Sequence, residues 1–249
     1  MNRRTFLAGI AAAAPVSLWR GEEFRYVACA DRIEVFGRFG KVQSIPSSRP
    51  ACLEFHPNAN FLFAVNEVDN HQGLPAGSVE SYSIHPITGR LTLVNRQGLS
   101  LSSTFPRGCA ISPDGRHLIV AAYGGGTYNV LPINEAGVIG RPNQIIKEIG
   151  RGPHPVKQES AHPHSAVFHP MGRFLIATDS GCDRMTVFRF EDGTLTRVQQ
   201  KSSASGSGPS YIKLSRDGSA ATVWHELRPG DVSYKFDPHS GSLTEQFNG

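Results

Sequence analysis

The sequence predicts an all-β fold, a β-propeller of four-stranded antiparallel blades, on three observations. Glycine (26) and proline (17) are abundant in the 249 residues, which disfavours a helical bundle and supplies turns between many short strands. One hairpin pattern occurs four times. The copies recur about every 45–55 residues, the period of propeller blades.

Taken in order, the chain opens Met1-Asn2-Arg3-Arg4-Thr5-Phe6-Leu7, followed by an apolar stretch through Val16 that is rich in small residues at Ala11 to Ala14. A charged head before a short apolar run is the pattern of an export signal, and the paired arginines followed by Thr-Phe-Leu resemble the twin-arginine kind. Residues 1–20 are therefore set aside as a leader, and a periplasmic or secreted protein with no membrane span in its mature chain is expected. The competing reading is a buried N-terminal helix. Strands follow from Arg25 to Phe36, and then the hairpins. The turns are His56-Pro57-Asn58, Pro113-Asp114-Gly115, Pro170-Met171-Gly172 and Arg216-Asp217-Gly218, each between two apolar strands. Proline fixes φ and glycine permits positive φ, which is what tight hairpins need. The last apolar residues before the turns are Phe55, Ile111, Phe168 and Leu214, spaced 56, 57 and 46 apart. Third and fourth strands complete the units, as at 78–84 with 88–94 and at 185–190 with 192–198. A β-sandwich would not produce so regular a period.

The net charge is +4, and Arg3 and Arg4 account for half of it. No Lys/Arg run interleaves with aromatics, so no nucleic-acid track is expected. The four cysteines, Cys29, Cys52, Cys109 and Cys182, lie at least 23 residues apart. That spacing holds no zinc or redox motif; buried thiols are the first reading and a disulfide the second. Gly124-Gly125-Gly126 has no helix after it to complete a phosphate loop. No Gly-x-Ser-x-Gly nucleophile elbow is present. No cofactor is expected.

Hairpin geometry says which residues meet. The first strand of each hairpin starts, and the second ends, on the same face of the disc. Ala51, Arg107, His164 and Ser210 should therefore ring one mouth of the central channel with Glu67, Tyr123, Ser180 and Glu226. Polar and ionisable groups gathered there suit a ligand. A blander reading is available for each: His162 and His164 as hydrogen-bonded turn residues, Glu67 and Glu226 as solvated loop carboxylates, Asp183 with Arg184 as a structural pair. A metal held by His154, His162, His164 and His169 lacks partnering Cys or acidic spacing, and none is expected.

The stretch Lys157-Gln158-Glu159-Ser160-Ala161-His162-Pro163-His164-Ser165 carries a family resemblance, together with Gly181-Cys182-Asp183-Arg184, Ala64-Val65-Asn66-Glu67 and Ala121 to Gly126. These segments resemble the lactonase family of seven-bladed propellers, which includes a bacterial 6-phosphogluconolactonase and a fungal carboxymuconate cyclase. The resemblance covers Arg25 to the end and implies a lactonase-like propeller over 21–249. Seven blades need about 340 residues, so the expectation is about five blades' worth, incomplete at the C-terminus, with unpaired blade edges open to self-association. The implied activity is hydrolysis of a sugar lactone, with a small lactone or carboxylate as ligand. His164 and Glu226 match the family's catalytic positions, with His162 beside them. Glu67, Arg107, Tyr123, Gln158, Asp183 and Arg184 are implied substrate contacts. The family's Gly-Pro-Arg-His is here Gly208-Pro209-Ser210-Tyr211, which removes both the arginine and the histidine and predicts weak or undetectable activity. The rival is a non-catalytic exported propeller that binds a ligand or protein partner.

Overall fold

The computed structural model describes residues 16–21 and 23–246. Five four-stranded sheets make up the described chain, each antiparallel and each in simple chain order. The first consists of β1 (Ser17–Arg20), β2 (Phe24–Ala28), β3 (Arg32–Gly37) and β4 (Gly40–Pro46). The second is β5 (Pro50–Phe55), β6 (Phe61–Asn66), β7 (Ser78–Ile84) and β8 (Leu91–Gly98), and the third is β9 (Pro106–Ile111), β10 (His117–Ala122), β11 (Thr127–Pro132) and β12 (Gln144–Lys147). The fourth is β13 (Pro163–Phe168), β14 (Phe174–Asp179), β15 (Arg184–Glu191) and β16 (Thr194–Ser202), and the fifth is β17 (Pro209–Leu214), β18 (Ala220–His225), β19 (Asp231–Asp237) and β20 (Ser242–Glu245). The inner strands β5, β9, β13 and β17 stand side by side in that order, with the first sheet against β5. These are five propeller blades. Arg3 and Arg4 lie outside the described residues, whereas Ser17–Arg20, placed in the leader by the sequence reading, form the first strand. No described helix is long and apolar enough to cross a membrane.

Apolar seams between consecutive blades form the core. Tyr26, Ile33 and Val35 meet Leu53, Leu62 and Tyr82 in the first seam; Phe174, Ile176 and Val187 meet Ala221, Val223 and Phe236 in the last. Two devices repeat across the seams. In the first four blades, the first residue of the second strand (Phe24, Phe61, His117, Phe174) lies under a glycine in the outer turn of the following blade. A Cβ on Gly89, Gly137, Gly193 or Gly241 would come within 2.4–2.5 Å of that ring. Each of these glycines also has positive φ, between 66° and 77°, so backbone and packing both demand glycine. Farther out, a side-chain amide clamps the next blade's backbone in both directions: Gln43 to Leu91 (2.8 and 2.7 Å) and Gln144 to Leu195 (3.0 and 2.8 Å).

The fifth blade breaks the apolar pattern on its outward face. Where the fourth blade offers Val167, Phe174, Ile176 and Val187 to its neighbour, the fifth carries Lys213, Ala220, Thr222 and Ser233. Lys213 and Lys235 on this face are exposed, and Thr222 and Ser233 are half-buried.

Candidate functional site

Every inner strand from the second blade onward opens on a proline: Pro50, Pro106, Pro163 and Pro209. A strand's first residue tolerates the missing N–H. Immediately after each proline the register slips. Pro50 faces Asn66 but Cys52 faces Val65; Pro106 faces Ala122 but Gly108 faces Ala121; Pro163 faces Asp179 but Ser165 faces Thr178. In the fifth blade the slip falls between Pro209 and Ile212. One residue per blade is thus thrown out of the ladder: Ala51, Arg107, His164, and in the fifth blade the stretch Ser210–Tyr211. A bulge re-aims a side chain, and here it does so at the mouth positions expected from the hairpin geometry. The prolines, at the same spacing as the repeats, were the sequence signal for these bulges.

The bulges build a continuous cluster. The Arg107 Nε donates to Glu67 Oε1 at 2.8 Å, and Arg49 pairs with the other oxygen at 3.3 Å. The Arg107 guanidinium lies 3.8 Å from the Tyr123 ring centre. Tyr123 stacks on His162 at 4.2 Å and 8°, and the His162 Nδ1 sits 2.9 Å from the Tyr123 carbonyl. His164 meets Tyr123 edge-on at 6.1 Å and Tyr211 at 4.9 Å. Burial pushes both phenols up, and the charge of Glu226 adds to the rise on each, so Glu226 is near enough for its charge to be felt at both. Arg49 and Tyr211 are members that sequence reasoning missed.

Two buried atoms in this cluster have no protein hydrogen-bond partner: His164 Nδ1 and Glu226 Oε1. Buried polar atoms are normally paired, so these two stand out within the cluster. Burial, reinforced by the Arg107 charge, holds the His164 imidazole down at about 3. It is neutral at physiological pH. In the unfolded chain a histidine titrates near 6.5. Between pH 6.5 and 3 the unfolded state therefore binds the extra proton, and stability falls as pH falls through that window. The midpoint of urea unfolding should drop between pH 7.5 and 4.5, and His164→Gln should remove part of the drop. An identical drop in the variant would overturn the assignment to His164.

Three expected substrate contacts sit elsewhere. The Gln158 side chain is fully buried; its Nε2 donates to Asp183 Oδ1 (2.7 Å) and the Ser180 carbonyl (2.8 Å), and its Oε1 accepts from the His154 N–H (3.1 Å). Asp183 also accepts from the N–H groups of Gly206 (2.6 Å) and Gly208 (2.8 Å). Gly208 in turn accepts from the Glu226 N–H at 2.8 Å, so this buried knot sets the loop that carries Glu226. Arg184 does not pair with Asp183. Its guanidinium donates to Glu148 at 2.7 Å and lies 3.6 Å from Asp179. Ser210 is buried, its Oγ donating to the Trp224 carbonyl at 3.1 Å, so Tyr211 rather than Ser210 faces the cluster. His154 and His169 are also apart from it: His169 packs on Phe236 at 5.0 Å, and no group of three or more His, Cys, Asp or Glu suited to a metal exists among the described residues.

Residues 36–248 match the family model described as "Lactonase, 7-bladed beta-propeller". The chain is 29% identical over 198 residues to the 6-phosphogluconolactonase of Bacillus subtilis (strain 168), covering 79% of this chain and 54% of that protein. It thus spans about half the length of the curated relatives it matches. Among solved structures, a Bacteroides uniformis protein provisionally described as a 6-phosphogluconolactonase aligns with TM-score 0.81 at 22% identity, over 91% of this chain and 67% of that one. The periplasmic gluconolactonase of Pseudomonas aeruginosa aligns with TM-score 0.56 at 25% identity, over 91% of this chain and 78% of that one.

Proposed function

Because the chain belongs to the family of seven-bladed lactonase propellers, we propose that it opens a sugar lactone at the mouth formed by Arg107, Tyr123, His164, Tyr211 and Glu226. The observation that carries this reading is the pair of buried unpartnered atoms, His164 Nδ1 and Glu226 Oε1, with the His164 ring against Tyr123 and Tyr211 and the charge of Glu226 felt at both phenols. Lactone opening needs an activated water and a stabilised oxyanion. Glu226 is the group to orient and deprotonate the water. Arg107 is the cation whose charge is felt at His164, and it takes the carbonyl oxygen or an acidic substituent of the substrate. It occupies the role left open at Ser210. His164, kept neutral partly by Arg107, becomes basic enough once a bound anion offsets that charge to take up a proton from solvent and pass it to the ring oxygen that leaves, while Glu226 returns to solvent the proton it took from the water.

Two features of the chain and its relatives support export: the Arg3-Arg4 pair, and the periplasmic gluconolactonase among the similar structures. An unphosphorylated lactone is accordingly the favoured substrate over its 6-phosphate. A second reading, binding without turnover, draws on Ser210, whose hydroxyl is tied to Trp224 where the family pattern has arginine.

The test is hydrolysis of δ-gluconolactone and its 6-phosphate above the spontaneous rate, with calorimetric binding measured alongside. Glu226→Gln should lower turnover about 100-fold with binding retained. Tight binding with no turnover in the native protein would establish the second reading. Turnover that survives both His164→Ala and Glu226→Ala would remove the chemistry from this mouth.

A further inference from the structure

We propose that Cys52 and Cys109 are a redox-active pair that closes to a disulfide on oxidation, clamping the second blade to the third directly beneath the mouth. The two sulfurs lie 3.3 Å apart, the Cys109 thiol donating to Cys52. They come from adjacent inner strands, β5 and β9, and face each other across the second apolar seam. At 3.3 Å the sulfurs are about 1.2 Å from disulfide bonding distance, across sheets already held together. The other two thiols are not so placed. Cys29 makes its sulfur contact with the Val27 carbonyl at 4.0 Å in the first blade. Cys182 lies in the Ser180–Asp183 loop of the fourth blade, away from β5 and β9.

Access sets the order of events. Cys52 is half-buried and Cys109 buried, so a small oxidised disulfide reaches Cys52 first. The Cys52 thiolate attacks one sulfur of oxidised glutathione and releases one glutathione thiolate. Cys109 then loses its proton and attacks Cys52 Sγ, releasing the second. Two electrons and two protons leave the protein, and two molecules of reduced glutathione form.

The clamp bears on the mouth because Cys52 follows the bulge residue Ala51, and Cys109 lies two residues beyond Arg107. The Glu67–Arg107 ion pair at 2.8 Å spans the same two blades. Oxidation therefore fixes the blade separation on which the position of the guanidinium depends. This inference is independent of what the mouth binds or turns over.

The test is treatment of the full chain with oxidised glutathione, followed by thiol counting, intact mass and peptide mapping. Two of the four thiols should disappear, the mass should fall by two hydrogens, and the linked peptides should be those of Cys52 and Cys109, all reversed by dithiothreitol. The oxidised protein should melt at least about 5 °C higher, and Cys52→Ser and Cys109→Ala should each lack that rise. The mass and peptide map of the native chain decide the matter even if a variant fails to fold. Four persisting thiols, a glutathione adduct that stays on Cys52, or a link through Cys29 or Cys182 would each overturn the proposal.

Discussion

If the proposed lactone opening takes place at this cluster, Arg107→Ala should lower its kcat/KM about 100-fold, the loss typical of one hydrogen-bond donor at an oxyanion site. A fall in kcat and kcat/KM together means the guanidinium acts on the transition state. A rise in KM alone means it only holds substrate. Arg107→Lys should recover only part of the loss, because an ammonium cannot lie flat on Tyr123 at 3.8 Å while donating to Glu67. An independent readout comes from His164. The Arg107 charge is the second cause of its depressed titration, so the imidazole in Arg107→Ala should titrate at higher pH by NMR. Unchanged kinetics and an unmoved His164 in the variant would show that Arg107 is no part of the machinery.

Gly181→Ala should cost about 3 kcal/mol of stability or more, although it adds one methyl group. A Cβ there would stand 2.0 Å from the Ser160 carbonyl oxygen and 2.7 Å from the His162 nitrogen. Both are backbone atoms and neither can swing aside. The strain falls on the segment that carries His162, whose N–H is held by Asp179 at 2.8 Å. The Tyr123–His162 stack should loosen in whatever folded protein remains. Urea unfolding measures the loss as a lower midpoint at unchanged m. A variant within about 0.5 kcal/mol of the native protein would mean that the two loops do not approach as described.

The legible part of this fold was its local chemistry. Pro113-Asp114-Gly115 and Arg216-Asp217-Gly218 state a turn in three residues, and the turn states a hairpin whose period gives the blade. Counting from the turn also brought Glu67, Arg107, Tyr123 and His164 near one another, as their contacts show, because antiparallel strands leave little freedom in where their ends lie. What stayed hidden depends on partners far along the chain. Gln158 looks like a free polar residue in a loop until Asp183, 25 residues on, takes up its amide. Arg184 looks available until Glu148, 36 residues back, claims it. Ser17–Arg20 reads as the tail of an apolar leader because a four-residue strand carries no periodicity long enough to announce itself.

The outward face of the fifth blade has a consequence for how this molecule behaves among its own copies. Two lysines and a pair of hydroxyl side chains along one sheet make a surface that water wets. A second molecule pressed against it would strip solvent from ammonium groups and gain no oily contact in return. Like charges on the two copies would repel at low salt. For the 249-residue chain by itself, crowding at high concentration should therefore leave this face unattached, and its colloidal stability should depend on ionic strength and on Lys213 and Lys235. Turning those two lysines into leucine would convert a repellent flank into an adhesive one, visible as a rising light-scattering radius with concentration.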